Sequence, residues 1–143
     1  MASTFKSVEV TRGDTIRAVT PGIYSVYGHY TLAGTSLVVN DVIQMVSVPI
    51  GARVIQVILD AGATDNAGTS GALCVGDGNT AARYISTNIP ASQTGGIVRA
   101  NVAGYDRTAY TVNDTIDIKV ITAPQTGYTT SVLSMVALLA IDN

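Results

Sequence analysis

The chain has 143 residues, of which 47% are apolar and only 13% charged, and a net charge of −2. Its eight Lys/Arg are scattered singly from Lys6 to Lys119, which excludes the basic stripe of a nucleic-acid or membrane-surface binder. One cysteine, Cys74, excludes an internal disulfide and a multi-cysteine zinc site.

A chain of this length is read as one domain, residues 1–143, burying roughly two-thirds of its unfolded surface. The charged share is about half the usual one, so part of the surface is expected to be covered by neighbours in an oligomer or larger assembly.

In chain order, "MASTFKSVEVTRGD" lacks the apolar core of a signal peptide, so a soluble protein made in the cytoplasm is expected. "SVEVTR" and "TIRAV" read as short strands, and residues 1–20 as a partly extended N-terminal arm. In "GIYSVYGHYTL" the tyrosines at 24, 27 and 30 invite a helix, but period two puts Tyr24, Val26, Tyr30 and Leu32 on one face. Gly22, Gly28 and the β-branched content favour the strand. "TSLVV" is a further strand candidate. "DVIQMVSVP" and "ARVIQVILD" flank the turn signal "PIG" and form a strand–turn–strand unit over 41–60. In the second of these, Arg53, Ile55, Val57 and Leu59 alternate with Val54, Gln56 and Ile58, and both faces are expected to be largely covered.

"ALCVG" and "RYIS" read as strands joined by a turn over Gly76–Asn79, with the returning strand at Arg83–Ser86. Residues 87–114 are expected to form an extended loop or loosely paired hairpin. "TIDIKVIT" alternates Ile116, Ile118 and Val120 against Asp117 and Lys119, a half-buried strand. "VLSMVALLAI" is too short to span a membrane and reads as a buried strand, with a short helix as the alternative. The sum is an all-β protein of about eight or nine short strands, a single antiparallel β-sandwich or a barrel.

Chemistry finds little support. Cys74 alternates with Leu73 and Val75 as a small buried hydrophobe, and the only histidine, His29, lies far away in another strand. "GDGNTAARY" has neither phosphate-loop spacing nor its lysine. Asp60, Asp65, Asn66, Asp77 and Asn79 supply oxygens for a cation if two loops converge, although turns use the same residues for conformational reasons. Glu9 is the only glutamate, and Asp14, Asp41 and Asp114 sit at turn positions. Without tryptophan, a glycan platform would rest on Tyr24, Tyr27, Tyr30, Tyr84, Tyr105, Tyr110 or Tyr128, each more ordinarily a packing residue. No catalytic, cofactor-binding or metal residue is assigned.

One longer pattern remains. "VSVPIGARVIQVILDAGATDNAGTSGALCVGDGNTAARYIS", 46–86, resembles small virion structural proteins of tailed bacteriophages, most of all capsid decoration (cement) proteins. There, an "IPxGA-R-I-x-V" strand leads through an Asp-rich loop to a strand ending in "VGDG" and then "A-R-Y/F". "TVNDTIDIKVIT", 111–122, and the terminal apolar strand fit the same layout, so the likeness covers roughly half the chain. The resemblance implies a jelly-roll-like sandwich on the outer capsid surface of the virion. It implies the major capsid protein and further copies of itself, as a homotrimer, as partners. It brings no catalytic residue, cofactor, nucleic acid or membrane. The alternatives are another phage structural role (tail, connector or fibre base), a tyrosine-based glycan- or receptor-binding module, and an enzyme.

Overall fold

Alternation sets the strands, and their pairing sets the architecture. The computed structural model describes residues 1–15, 21–32, 37–62, 71–91, 96–99, 108–123 and 131–142. Its strands are β1 (Thr4–Lys6), β2 (Gly22–Thr31), β3 (Val42–Val48), β4 (Ala52–Ala61), β5 (Gly71–Asp77), β6 (Ile85–Ala91), β7 (Gly96–Arg99), β8 (Asp114–Thr122) and β9 (Val132–Ile141). One sheet, A, runs β1-β3-β8-β5-β6 and the other, B, runs β2-β9-β4-β7.

Leaving out β1, every pair is antiparallel and consecutive strands fall mostly in opposite sheets. This interleaving of 2-9-4-7 with 3-8-5-6 is a jelly roll. The expected sandwich of about eight strands is therefore present, with β1 added in parallel to the edge of β3. The core lies between the sheets, where Ile43, Met45, Leu59, Leu73, Ile116, Leu133, Met135 and Leu139 are fully buried. Each such side chain contributes about 1.5–3 kcal/mol relative to exposure.

The unit at 41–60 forms as expected, but its strands enter different sheets, so it is a corner and not a hairpin. Ala52 N–H donates to Pro49 O at 3.1 Å and Gly51 has φ +84°, the geometry of a type II turn. The terminal run 132–141 is the strand of the two alternatives, lying between β2 and β4.

Several expectations fail for local reasons. "SVEVTR" is not a strand: residues Val8–Arg12 form α1, with Ser7 Oγ accepting from Val10 N–H at 3.1 Å and Gly13 closing the helix in the left-handed conformation. "TSLVV" is no strand over its described residues 37–39, and 35–36 lie outside them. In β4 a bulge between Val54 and Gln56 shifts the phase, so Val54, Val57 and Leu59 point inward together while Arg53 and Ile55 are exposed. The stretch 87–114 is no hairpin: β6 continues to Ala91 in sheet A, and β7 joins β4 in sheet B.

Of the segment expected as an arm, residues 4–6 pair with β3 and α1 packs on β2 and β3; residues 16–20 lie outside the described residues. Buried Asp41 holds the start of the chain, accepting from Ser3 N–H at 2.6 Å and Val38 N–H at 2.8 Å. No helix among the described residues is long and apolar enough to cross a membrane.

Candidate functional site

Three arrangements stand out from the framework: a polar hub after β5, a hydrogen-bonded Glu–His pair beneath α1, and the outer face of sheet B.

The hub grows from "VGDGNTAARY". After Asp77 the chain folds back over the outer face of β5. A Cβ on Gly76 would lie 2.0 Å from Thr80 O and 2.6 Å from Ala81 O, so only glycine admits this return. Cys74 Sγ donates to Ala81 O at 3.1 Å. The Asp77 carboxylate organises the loop: Oδ1 accepts from Asn79 N–H at 3.1 Å and Thr80 N–H at 2.7 Å. Its Oδ2 accepts from Arg83 and, at 2.8 Å, from the Tyr110 hydroxyl. Tyr110 in turn meets the Tyr84 hydroxyl, and the Arg83 guanidinium lies 5.7 Å from the Tyr110 ring centre.

Backbone bonds from Gly51 N–H to Tyr110 O (2.7 Å) and from Tyr110 N–H to Ala52 O (2.9 Å) fix this tyrosine to the 49–52 corner. The hub thus ties both sheets together at one end. Burial pushes the Asp77 carboxyl up, but the bonds from Tyr110, Thr80 and Arg83 outweigh it and hold it below the usual range. Burial raises the Tyr84 phenol to about 12 and that of Tyr110 still further, so both stay protonated. Such a hub is saturated and offers no reactive group.

Beneath α1, Glu9 Oε1 meets His29 Nδ1 at 2.7 Å and Oε2 accepts from His29 N–H at 2.9 Å. The pair fastens α1 to β2, the edge of sheet B. Burial works against the charge on Glu9, yet the bonds with His29 keep its carboxyl below the ordinary value.

Sheet B turns an apolar outer face away from the core. Ile23, Tyr27, Ile55 and Ile97 are exposed, with Val136 and Leu138 half-buried between them. In register, Tyr27 stands beside Val136 and Val136 beside Ile58, an apolar row across three strands. Among the described residues, charge on the face is confined to its margins at Arg53, Asp60 and Arg99. The expectation that both faces of β4 are covered therefore fails within one copy of the chain: Arg53, Ile55 and Asp60 are open.

Among the described residues, those singled out by sequence do not assemble into a reactive centre. Cys74 is buried in sheet A with its thiol pushed up by burial, whereas His29 sits in sheet B committed to Glu9. Asp60 is exposed on sheet B and Asp77 is buried in sheet A, so these two do not converge; Asp65 and Asn66 lie outside the described residues. No group of three or more His, Cys, Asp or Glu able to hold a metal occurs among the described residues. Asp14 pairs with Arg12 at 3.0 Å on the surface. Asp114 accepts from Thr115 N–H at 2.8 Å. Of the tyrosines, Tyr84 and Tyr110 belong to the hub, Tyr30 packs on Phe5 with ring centres 5.8 Å apart, and Tyr24 is half-buried. Tyr27 is exposed and stacks on His29 at 5.8 Å; Tyr105 and Tyr128 lie outside the described residues. Sequence reasoning missed Arg83 as the partner of Asp77, and it missed the burial of Asp117.

No family model matches the chain. No curated sequence matches it either. Solved structures do. A chain in the capsid of Ralstonia phage GP4 aligns with a TM-score of 0.82 at 19% identity, over 98% of this chain and 99% of that one. A chain in the capsid asymmetric unit of cyanophage Pam1 aligns with a TM-score of 0.69 at 22% identity, over 90% and 91%. One from the acid-stable capsid of Helicobacter pylori bacteriophage KHP30 gives 0.58 at 17%, over 85% and 89%. At these identities the likeness is one of fold.

Proposed function

We propose that this chain is a non-enzymatic structural protein of a phage particle, which decorates the outer capsid surface and stabilises it by bridging neighbouring subunits of the major capsid protein. The observation that carries this reading is the end-to-end match to a chain in the Ralstonia phage GP4 capsid, over 98% of this chain and 99% of that one. The saturated hub fits a protein whose task is to hold shape. The open apolar face of sheet B fits one buried against neighbours, and we assign it to contacts between copies in a homotrimer.

Bridging of this kind needs no single tight site. A contact of modest area, repeated by symmetry over a shell and linked through an oligomer, gains avidity from effective concentration. Adding the purified protein to heads lacking it, followed by cryo-EM, is expected to show density at regular lattice positions. Heads that stay bare at saturating protein would refute the proposal. Fractionating particles into heads and tails separates decoration from a tail or connector role, and light scattering of the free protein tests the trimer.

A further inference from the structure

The outer face of sheet A carries a feature that the fold does not use. Thr4 of β1, Gln44 of β3, Asp117 and Lys119 of β8, and Asn79 and Ala81 of the hub loop surround a depression of about 350 Å³. Asp117 stands in register with Gln44 on one side and Gly76 on the other, and the loop laid over Gly76 covers it. The residue is only 7% exposed, and its Oδ1 has no hydrogen-bond partner among the described residues. Asp77 borders the same depression, but both its oxygens are taken by Asn79, Thr80, Arg83 and Tyr110. The unmet need is therefore a single hydrogen-bond donor at Asp117.

Charge points the same way. Arg83 neutralises Asp77, Lys119 is the cation among the residues that line the depression, and Asp114, outside that lining, lies close enough to Asp117 to add negative charge around it. A buried carboxylate oxygen without a donor is unfavourable, and a cationic donor meets both the hydrogen-bond and the charge deficit. Guanidinium suits the place better than ammonium. It is the more weakly hydrated, and its planar fork can also donate to the side-chain carbonyls of Gln44 and Asn79.

We propose that this depression receives an arginine side chain of a neighbouring capsid subunit, with Asp117 as the acceptor that fixes it. The assignment rests on the capsid-decoration reading and names the chemistry of one of its contacts.

The test titrates the full chain with propylguanidinium and follows backbone amide NMR shifts. Propylammonium and tetramethylammonium, a cation without N–H groups, serve as comparisons. Saturable shifts at Gly78, Asn79 and Asp117 are expected with propylguanidinium, weaker ones with propylammonium and none with tetramethylammonium. Asp117→Asn, close in shape and verified as folded by the same spectra, should weaken binding by about 10-fold or more. No saturable shift at these amides, or an unchanged response in Asp117→Asn, would overturn the site. An equal response to propylammonium would overturn the guanidinium assignment. On heads lacking the protein, Asp117→Asn should bind about 10-fold more weakly than the unmodified chain. Equal binding by a folded Asp117→Asn sinks this inference and leaves the decoration reading intact. Failure of the unmodified chain to bind heads sinks the decoration reading, and the cation titration still judges the site.

Discussion

Replacing Asp117 by asparagine isolates the energetic consequence of burying that carboxylate. Burial, with smaller contributions from Asp114 and Asp77 against a hydrogen bond from Thr115, pushes its carboxyl up from 3.8 to about 6. A raised carboxyl favours the protonated form in the fold. Its penalty is therefore absent well below 3.8, grows between 3.8 and about 6, and is constant above that. Each tenfold change in proton affinity is worth about 1.4 kcal/mol, so ionised Asp117 destabilises the free protein by about 3 kcal/mol at neutral pH. The substituted amide does not titrate, and whatever it gains or loses in the fold is independent of pH. The stability difference between the two proteins should therefore shift by about 2–3 kcal/mol in favour of Asp117→Asn between about pH 4 and pH 7.5. For a chain of this size that is roughly 6–10 °C in Tm. Thermal unfolding of both proteins across this range measures it. A difference that stays flat with pH would refute the burial argument.

Tyr110→Phe removes the 2.8 Å bond to Asp77 and the partner of the Tyr84 hydroxyl, and should cost about 1–3 kcal/mol near neutrality by denaturant unfolding. Because the Asp77 carboxyl is held low, its stabilisation is present above the unfolded value of 3.8 and lost as pH falls through the folded one; the cost of Tyr110→Phe should shrink in acid. A cost that is the same at both ends of the pH range would argue against the hub. Gly76→Ala places a Cβ 2.0 Å from Thr80 O and should cost about 2–3 kcal/mol or more, read as a lower urea midpoint; an unchanged midpoint would show that the loop does not pack back on β5. Cys74, buried and with its thiol pushed up, should resist thiol-specific reagents in the native state and react fully in denaturant. Fast native labelling would contradict its position.

Strands were legible wherever burial follows simple alternation. Ile116, Ile118 and Val120 of β8 are buried as their spacing demands, and the turn at 49–51 announces itself through Pro49 and Gly51. α1 was not legible through composition, because Val8, Val10 and Thr11 are β-branched. The available signal was the pair of caps, Ser7 before it and Gly13 after it. The β4 bulge escaped because one inserted residue leaves every side chain plausible in either phase. Much of the hub lay inside a quoted motif, yet its closing member, Tyr110, sits 33 residues from Asp77, a spacing that carries no information. Asp117 misleads for the opposite reason. It holds the polar position of its strand, and only a loop laid over the sheet from elsewhere buries it.

The strand order of sheet B also governs when the protein can fold. β9 lies between β2 and β4, so residues 22–31 have their partner only in residues 132–141. Until the ribosome has made that segment, β2 lacks its strand partner, β4 has only the short β7, and nothing joins the two. Sheet B can therefore close only once residues 132–141 are available, with the slow closure typical of long-range β pairing. Removing β9 would not trim a terminus; it would take out the centre of the sheet.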